Sequence, residues 1–205
     1  MTWESGNPTG FGHSYYVVMG GSAGGFKAIT TILAALSLDF TLPVLLVQHL
    51  HRDDQGAFAR HLAGAVPLPV VEPCDKELIS SGHVYVAPAG YHMLVEGDGA
   101  IALSTEEKVN WSRPSIDVLF ESAARVWGDR VVAVILSGAS NDGAAGIQSI
   151  KAAGGLTIAQ SPVTAEYPLM PQAAIDTGAV DEVLTIEEII TRIVIFGCQI
   201  KSRTS

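Results

Sequence analysis

The sequence predicts a single α/β domain with a doubly wound, mainly parallel sheet and a small antiparallel hairpin excursion. Unbroken apolar runs such as residues 43–47 and 131–136 are typical of strands buried on both faces of a parallel sheet. Segments with a helical apolar period lie between these runs, which indicates strands alternating with helices. A chain of 205 residues that is 48% hydrophobic and 16% charged can bury one large core.

The elements follow this alternation from the start of the chain. Residues 1–14, rich in Gly, Ser, Thr and Pro, are expected to form a loose lead-in to a domain at 15–197. A strand at Tyr15–Met19 leads through a serine turn into a helix from about Gly25 to Leu36, whose inward face is Phe26, Ile29, Leu33 and Leu36. The other sheet strands are expected at 43–47, 68–71, 131–136, 156–159 and 180–184. Helices are expected from Asp53 or Asp54 to about residue 62, at 115–128, at 143–153 and at 186–195. A loop is expected at 161–171, followed by a short helix that ends at 175.

Residues 72–104 break the alternation and predict the antiparallel excursion. Three short strands are expected at 83–87, 91–95 and 100–104. The Gly97-Asp98-Gly99 turn between the last two is a hairpin signal. Residues 105–114 have no periodicity and are predicted to be a loop, and Ser115 is a candidate cap of the next helix.

Charge and cysteine content exclude several classes of function. The net charge of −9 argues against a general role in binding nucleic acid or anionic membranes, which require a basic surface. Cys74 and Cys198 lie far apart and form no CxxC motif, so two reduced thiols in a cytoplasmic protein are expected. No apolar run reaches the roughly 18 residues of a membrane helix.

The serine turn, Gly20-Gly-Ser-Ala-Gly-Gly25, is the first candidate site. The pattern Gly20-x-Ser22-x-Gly24 between a strand and a helix fits a nucleophile elbow, in which a sharp turn projects a hydroxyl from the end of a sheet. A glycine-rich turn at this place also suits a phosphate. The GxGxxG and P-loop patterns both fail, but the residues alone leave nucleophile and anion cradle as equal alternatives.

Ser22, His49 and Asp142 each follow a predicted parallel strand, so all three are expected at one edge of the sheet. They are the residue types of an acyl-transfer triad, in which serine attacks a carbonyl, histidine carries its proton and the carboxylate orients the imidazole. His49 and Asp142 also have plainer interpretations. His49 could be a core histidine, or could bind a metal ion together with His51, and Asp142 could be a helix N-cap. No third strong ligand lies near His49, so no metal and no cofactor are predicted, and the remaining histidines are expected to be structural or solvated, namely His13, His61, His83 and His92.

Six motifs in order then carry a family resemblance. They are Gly20–Gly25, Val47-Gln-His-Leu50, Gly82-His-Val-Tyr-Val-Ala-Pro88, Arg113-Pro-Ser-Ile-Asp-Val-Leu-Phe120, Leu136-Ser-Gly-x-x-x-Asp-Gly143, and Met170-Pro171 followed by Ala173–Ile175. Over residues 15–195 the chain resembles the catalytic domain of the CheB-type chemotaxis protein-glutamate methylesterases. The resemblance implies a doubly wound α/β fold, hydrolysis of glutamyl methyl esters on chemoreceptors, and deamidation of receptor glutamines. It also implies Ser22 as nucleophile, His49 as base and Asp142 as orienting acid.

Two departures from the family pattern concern the pocket around the nucleophile. The residue after the serine, often threonine in the family, is Ala23, and the methionine of the family's Gly-Met-Gly is Ala139. The resemblance places both positions, together with Met170, at the oxyanion and substrate pocket, where each alanine offers only a backbone N–H. These departures favour an alternative: a catalytically weak or degenerate methylesterase-like module that binds a receptor or signalling partner.

The implied partners are the cytoplasmic helices of methylated chemoreceptors. Family members commonly carry an N-terminal receiver domain, and only fourteen residues precede the first predicted strand here. The expectation is therefore an excised or stand-alone catalytic domain without a receiver domain, or one controlled by a separate regulatory or receiver protein.

Overall fold

The computed structural model describes residues 15–204, with side chains through residue 198. The strands are β1 (Tyr16–Gly21), β2 (Val44–Gln48), β3 (Val70–Val71), β4 (Val84–Val86), β5 (His92–Val95), β6 (Ile101–Ser104), β7 (Val131–Ile135), β8 (Leu156–Gln160) and β9 (Glu182–Leu184). The helices are α1 (Gly25–Ala34), α2 (Ala57–Ala65), α3 (Ile116–Trp127), α4 (Ala144–Ala152), α5 (Leu169–Asp176) and α6 (Ile186–Thr204). The predicted lead-in at 1–14 lies outside the described residues.

A seven-stranded parallel sheet organises the molecule. Its order is β3-β4-β2-β1-β7-β8-β9, and every neighbouring pair is parallel. The chain builds one side of the sheet from β1 through β4 and then crosses back to build the other side from β7 onwards. The strand order therefore reverses beside β1, and the carboxyl edge at such a reversal is where open α/β sheets bind ligands.

Helices cover both faces of the sheet, as the prediction of a doubly wound fold requires. Alternate residues of β1 enter different cores: Val17 and Met19 pack with α1, α2 and α6, and Tyr16 and Val18 pack with α3, α4 and α5. The hairpin of β5 and β6 packs on α3 within the second core. Among residues 15–204, no helix combines the length and the apolarity needed to cross a bilayer.

The predicted antiparallel excursion is smaller than expected. Among the strands of residues 15–204, the antiparallel pair is β5 with β6, joined by the Gly97–Gly99 turn and extended by a single antiparallel bridge from Leu78 to Ala100. The strand expected at 83–87 is instead β4, a parallel strand of the main sheet between β3 and β2. The reason is burial on both faces, because Val84, Tyr85 and Val86 are all nearly inaccessible to solvent.

Three further expectations need correction. Helix α6 continues to Thr204, well past the predicted end at 195, and α5 begins at Leu169, inside the segment expected to be a loop. Phe26, predicted to face inward, is 43% exposed and lies against the rings of Phe58 and His61. The inward positions of α1 include Ala28 and Ile32 in its place.

Candidate active site

The serine turn is held from both neighbouring strands. The Ser22 N–H donates to the Ser137 carbonyl oxygen beyond β7 at 3.0 Å. The Ser22 carbonyl oxygen accepts the Gly25 N–H at 2.9 Å, which closes the turn, and the Gln48 side-chain amide at 2.8 Å. Ser22 is partly exposed, and its backbone is restrained by residues of β2 and of the loop after β7.

Gly24 is required by the geometry of this turn. It lies at φ +72°, in the left-handed region that glycine tolerates, and immediately precedes α1. A Cβ atom at this position would lie 2.6 Å from Ser137 Oγ and 2.8 Å from Glu166 Cβ. The strand can therefore turn sharply into α1 only with glycine here.

His49 lies beside Ser22 because of strand register. Gly21 of β1 pairs with Gln48 of β2, and the His49 N–H donates to the Gly21 carbonyl oxygen at 3.0 Å. Ser22 and His49 are thus the next residues along two adjacent parallel strands, whose spacing is about 4.8 Å. The register brings the candidate nucleophile and the candidate base to neighbouring positions at the sheet edge.

The His49 ring joins Asp142 through one nitrogen. Its Nε2–H donates to Asp142 Oδ2 at 2.7 Å, which leaves the Nδ1 lone pair free to take a proton. Nδ1 lies 3.5 Å from Ser112 Oγ, at the outer limit of a hydrogen bond. Ser22 Oγ forms no hydrogen bond with His49 in this structure. Such contacts are often long in unliganded sites and shorten when substrate binds.

Asp142 is fully buried and kept ionised by its hydrogen bonds. Besides His49, its carboxylate accepts the Asn110 amide, the Ser115 hydroxyl and the backbone N–H groups of Ile116 and Asp117. Burial alone would raise the pKa of Asp142, but the hydrogen bonds, that from His49 foremost, hold it below its ordinary value. A buried carboxylate that remains charged can orient the imidazole and stabilise its protonated form.

Asn110 bridges Asp142 to a second buried carboxylate. Its side-chain nitrogen donates to Asp117 Oδ2 at 2.6 Å and to Asp142 Oδ1 at 3.0 Å. Asp117 also accepts the Gly146 N–H at 2.7 Å. Burial raises the pKa of Asp117, and the nearby charge of Asp142 adds to the increase against the opposing hydrogen bonds from Gly146 and Asn110.

The helix-cap interpretations change in the structure. Gly143, not Asp142, is the N-cap of α4. The Asp142 carboxylate instead receives the first two N–H groups of α3, and so caps a helix distant in sequence. Ser115 precedes α3 as expected but forms no side-chain cap, because its hydroxyl donates to Asp142. Neither Asp53 nor Asp54 is the N-cap of α2, which is Gly56. The Asp54 carboxylate, two residues before that cap, accepts the Phe58 N–H in the first turn of the helix at 3.2 Å.

The three predicted pocket residues lie in different environments. Ala23 follows Ser22, and Ala139 lies in the loop after β7 on an apolar cavity of about 350 Å³. The N–H groups of both residues form no hydrogen bond with any described residue, so both remain available to a ligand. Met170 is 1% exposed, and its thioether packs where a Gly138 side chain would be, behind the loop that carries Ala139.

No other described histidine forms a hydrogen bond with Ser22, His49 or Asp142. His92 is buried, accepts the Ser115 N–H on Nδ1 and donates from Nε2 to the Glu107 carbonyl oxygen, which is a structural role. His51 is exposed next to Asp53. In the described part of the chain, no group of three or more His, Cys, Asp or Glu side chains is arranged to hold a metal ion. His13 lies outside the described residues.

Four residues of the site were not predicted from the sequence as parts of it: Gln48, Asn110, Ser115 and Asp117. Gln48 is a polar residue ending an apolar strand, a signal that could have identified it. Asn110 belongs to a non-periodic stretch without any pattern. Its contacts depend on folding that stretch over the carboxyl edge of the sheet.

The chain matches known proteins over most of its length. The family model described as CheB methylesterase matches residues 17–193. A Leptospira interrogans protein is 47% identical over 173 residues, covering 84% of this chain and 90% of its own length. An Anaeromyxobacter dehalogenans relative named protein-glutamate methylesterase/protein-glutamine glutaminase 6 is 45% identical, and the match covers 88% of this chain and 53% of the relative, about half its length. The crystal structure of the Thermotoga maritima CheB methylesterase catalytic domain superposes with a TM-score of 0.85 at 31% identity, covering 89% of this chain and 98% of that one.

Proposed function

The chain belongs to the CheB methylesterase family of carboxylic ester hydrolases, and from this premise we propose that it hydrolyses glutamyl methyl esters on chemoreceptors. The products are methanol and a glutamate side chain. Deamidation of glutamine side chains at the same site belongs to the proposal, because the relatives' names pair the two activities. The proposed substrate, the cytoplasmic helices of methylated chemoreceptors, implies a cytoplasmic location.

The hydrogen bond between His49 and Asp142 beside Ser22 is the observation that carries this proposal. Since Nε2–H is held by Asp142, Nδ1 of His49 takes the Ser22 proton as Ser22 Oγ attacks the ester carbonyl carbon. The tetrahedral intermediate collapses to a glutamyl-serine ester, and His49 returns the proton to the leaving methanol. Water, activated by His49, then attacks the acyl carbon and restores Ser22.

Two backbone donors suit the negative oxygen of the tetrahedral intermediate. The N–H groups of Ala23 and Ala139 are unpaired among the described residues and lie in the loops that follow β1 and β7. Ala23 is also close to the N-terminus of α1, where the helix dipole favours negative charge. A single oxyanion donor contributes roughly 10²–10³ in rate in other hydrolases, and backbone N–H groups can serve as such donors. Ala23 and Ala139 can therefore supply an oxyanion hole without a polar side chain.

A degenerate, non-catalytic docking module is the second candidate function. The missing hydrogen bond between Ser22 Oγ and His49 is the observation that favours it. The two candidates differ in turnover, because a docking module binds methylated receptor and releases no methanol. The buried, ionised Asp142 favours the enzyme, since a docking surface has no need of an oriented imidazole.

Methanol release from a methylated chemoreceptor fragment tests the proposal. We expect release by the wild type and none above background by Ser22→Ala, with both proteins folded. Ser112→Ala is the matched control, because the Ser112 hydroxyl lies 3.5 Å from His49 Nδ1 and is not the proposed nucleophile. Wild-type turnover retained in Ser22→Ala would refute the assignment, and receptor binding without wild-type turnover would establish the docking module.

A further inference from the structure

A cavity of about 370 Å³ opens beside His49, and its charge is unlike that of the rest of the chain. Arg52, Lys108 and Arg113 line it, and no described residue lining it is Asp or Glu. The whole chain has 12 Lys and Arg against 21 Asp and Glu, so a quarter of its cationic side chains meet at this one cavity. We name the three cations with Trp111 the cationic mouth.

The charges of the cationic mouth are not neutralised within the described chain. Arg113 Nη1 donates to the carbonyl oxygens of Thr105 and Glu106 at 2.6 and 2.7 Å. These partners are neutral, so they do not neutralise the charge of the guanidinium group. Arg52 lies 3.8 Å from Asp53, but both side chains are mostly exposed, and such pairs contribute little. No described carboxylate lies within ion-pair distance of Lys108 or Arg113.

Trp111 adds a large apolar surface to the same rim. It is 93% exposed and occupies a tight turn closed by Val109 and Ser112, whose backbones exchange two hydrogen bonds of 2.9 and 3.2 Å. Asn110 and Trp111 both have positive φ, as the two central residues of a type I′ turn do. The Asn110 contacts with Asp117 and Asp142 anchor this turn, so the exposed indole is held at the cavity next to the site.

We propose that the cationic mouth binds an acidic polypeptide segment that carries the ester, an inference that rests on the proposed function. Carboxylates flanking the esterified residue interact with Arg52 and Lys108, and Trp111 packs on the aliphatic part of the segment. Charge complementarity supports this occupant, because the chain as a whole, at −9, repels an acidic segment and needs a local patch of opposite sign to bind it. Each ester hydrolysed leaves a new carboxylate, so the substrate segment becomes more acidic as the reaction proceeds.

Two synthetic peptides that each contain one glutamyl methyl ester test this proposal. They differ only in the flanking residues, which are Glu in one and Gln in the other. Binding to the Ser22→Ala protein is measured by fluorescence anisotropy, so that hydrolysis does not interfere. We expect the Glu peptide to bind about tenfold more tightly at low salt, with most of the preference lost near 0.5 M salt.

Charge-removing variants locate the effect. Arg52→Gln with Lys108→Gln, in the Ser22→Ala background, should bind the two peptides equally. The matched control is Arg125→Gln, an exposed cation in the last turn of α3, at the opposite end of that helix from the site, and it should keep the full preference. Equal binding of both peptides by the unaltered mouth, or a preference that survives the double variant, would overturn the proposal.

Turnover distinguishes this inference from the proposed function. With Ser22 intact, the double variant should raise KM for the Glu peptide about tenfold and leave kcat close to wild type, because the rim binds the substrate without entering the chemistry. A wild type that binds the Glu peptide preferentially but cleaves neither peptide would refute the proposed function and leave the cationic mouth in place. A wild type that cleaves both peptides with equal KM would refute the mouth alone.

Discussion

His49 Nε2 and Asp142 Oδ2 lie 2.7 Å apart, although the two residues are separated by 93 positions in the sequence. One partner is part-exposed at the sheet edge and the other is fully buried. The contact therefore links an accessible ring to an interior charge, and that charge is itself held by the N-terminus of α3. Catalysis and stability should both depend on Asp142.

Asp142→Asn should lower kcat by about 10⁴, the size of the effect for the same substitution in another Ser-His-Asp hydrolase. An amide cannot stabilise the imidazolium, and in either orientation its NH₂ group would face donors. These are His49 and Ile116 on one side, or Asn110, Ser115 and Asp117 on the other. Stopped assays of methanol release over a range of ester concentrations measure the loss. Asp129→Asn, at an exposed position just before β7, is the control. A loss below tenfold would remove Asp142 from the mechanism.

The stability of the chain should fall in acid because of the same residue. The pKa of Asp142 is lower in the folded chain than its ordinary value of 3.8, since its hydrogen bonds outweigh its burial. Its stabilisation is therefore fully present above about pH 5 and is lost as the pH falls through the folded-state pKa. Urea unfolding from pH 7 to pH 2.5 should show the wild type approaching Asp142→Asn at the acid end. A gap in unfolding free energy that stays constant with pH would contradict this account.

Asn110→Gly should destabilise the protein by about 1–3 kcal/mol and lower kcat/KM, because it removes the amide between two buried carboxylates. Glycine tolerates the φ of +50° at this position, so the loss reports the side chain and not backbone strain. Asn110→Asp, which also tolerates this φ, should be worse at pH 7 and recover partly at pH 5 as the added carboxyl is protonated. Stability of Asn110→Gly within ~0.5 kcal/mol of wild type would show that the bridge is unimportant.

Gly24→Ala should destabilise the protein by about 1–3 kcal/mol and reduce activity, because the new Cβ has no space at a positive φ. The predicted contacts at 2.6 and 2.8 Å would displace the turn that presents Ser22. Gly64→Ala is the matched control: in α2, a Cβ at this position meets nothing within 4 Å, and alanine should stabilise the helix by up to about 1 kcal/mol. Thermal unfolding with parallel activity assays distinguishes the two, and equal behaviour would contradict the packing argument.

The sequence predicted the doubly wound sheet because long strands buried on both faces leave an unmistakable apolar signal, as β2 and β7 do. The prediction wrongly assigned β4 to the antiparallel excursion. Its three buried apolar residues lie close to the hairpin in sequence, and a hairpin strand would have the same local pattern. Which sheet such a short strand joins is decided by long-range pairing with β2 and β3, and local pattern does not encode it.

The site was predictable where its residues end strands and was not where they come from loops. Ser22 and His49 follow β1 and β2, so topology alone places them at one edge. Asn110 reaches Asp142 only because a non-periodic segment turns over that edge and is fixed there by His92 and Arg113. Contacts of this kind depend on tertiary packing, and neither periodicity nor residue spacing indicates them.

The most direct test of the account is the position at which an active-site fluorophosphonate modifies the protein. Attack of a serine oxygen on phosphorus with loss of fluoride marks the activated nucleophile, and peptide mass spectrometry locates it. We predict one adduct, on Ser22, that is absent in Ser22→Ala and forms far more slowly in His49→Gln. An adduct on Ser112, or labelling of Ser22 that is unaffected by His49→Gln, would contradict the assignment of Ser22 as the nucleophile and His49 as its base.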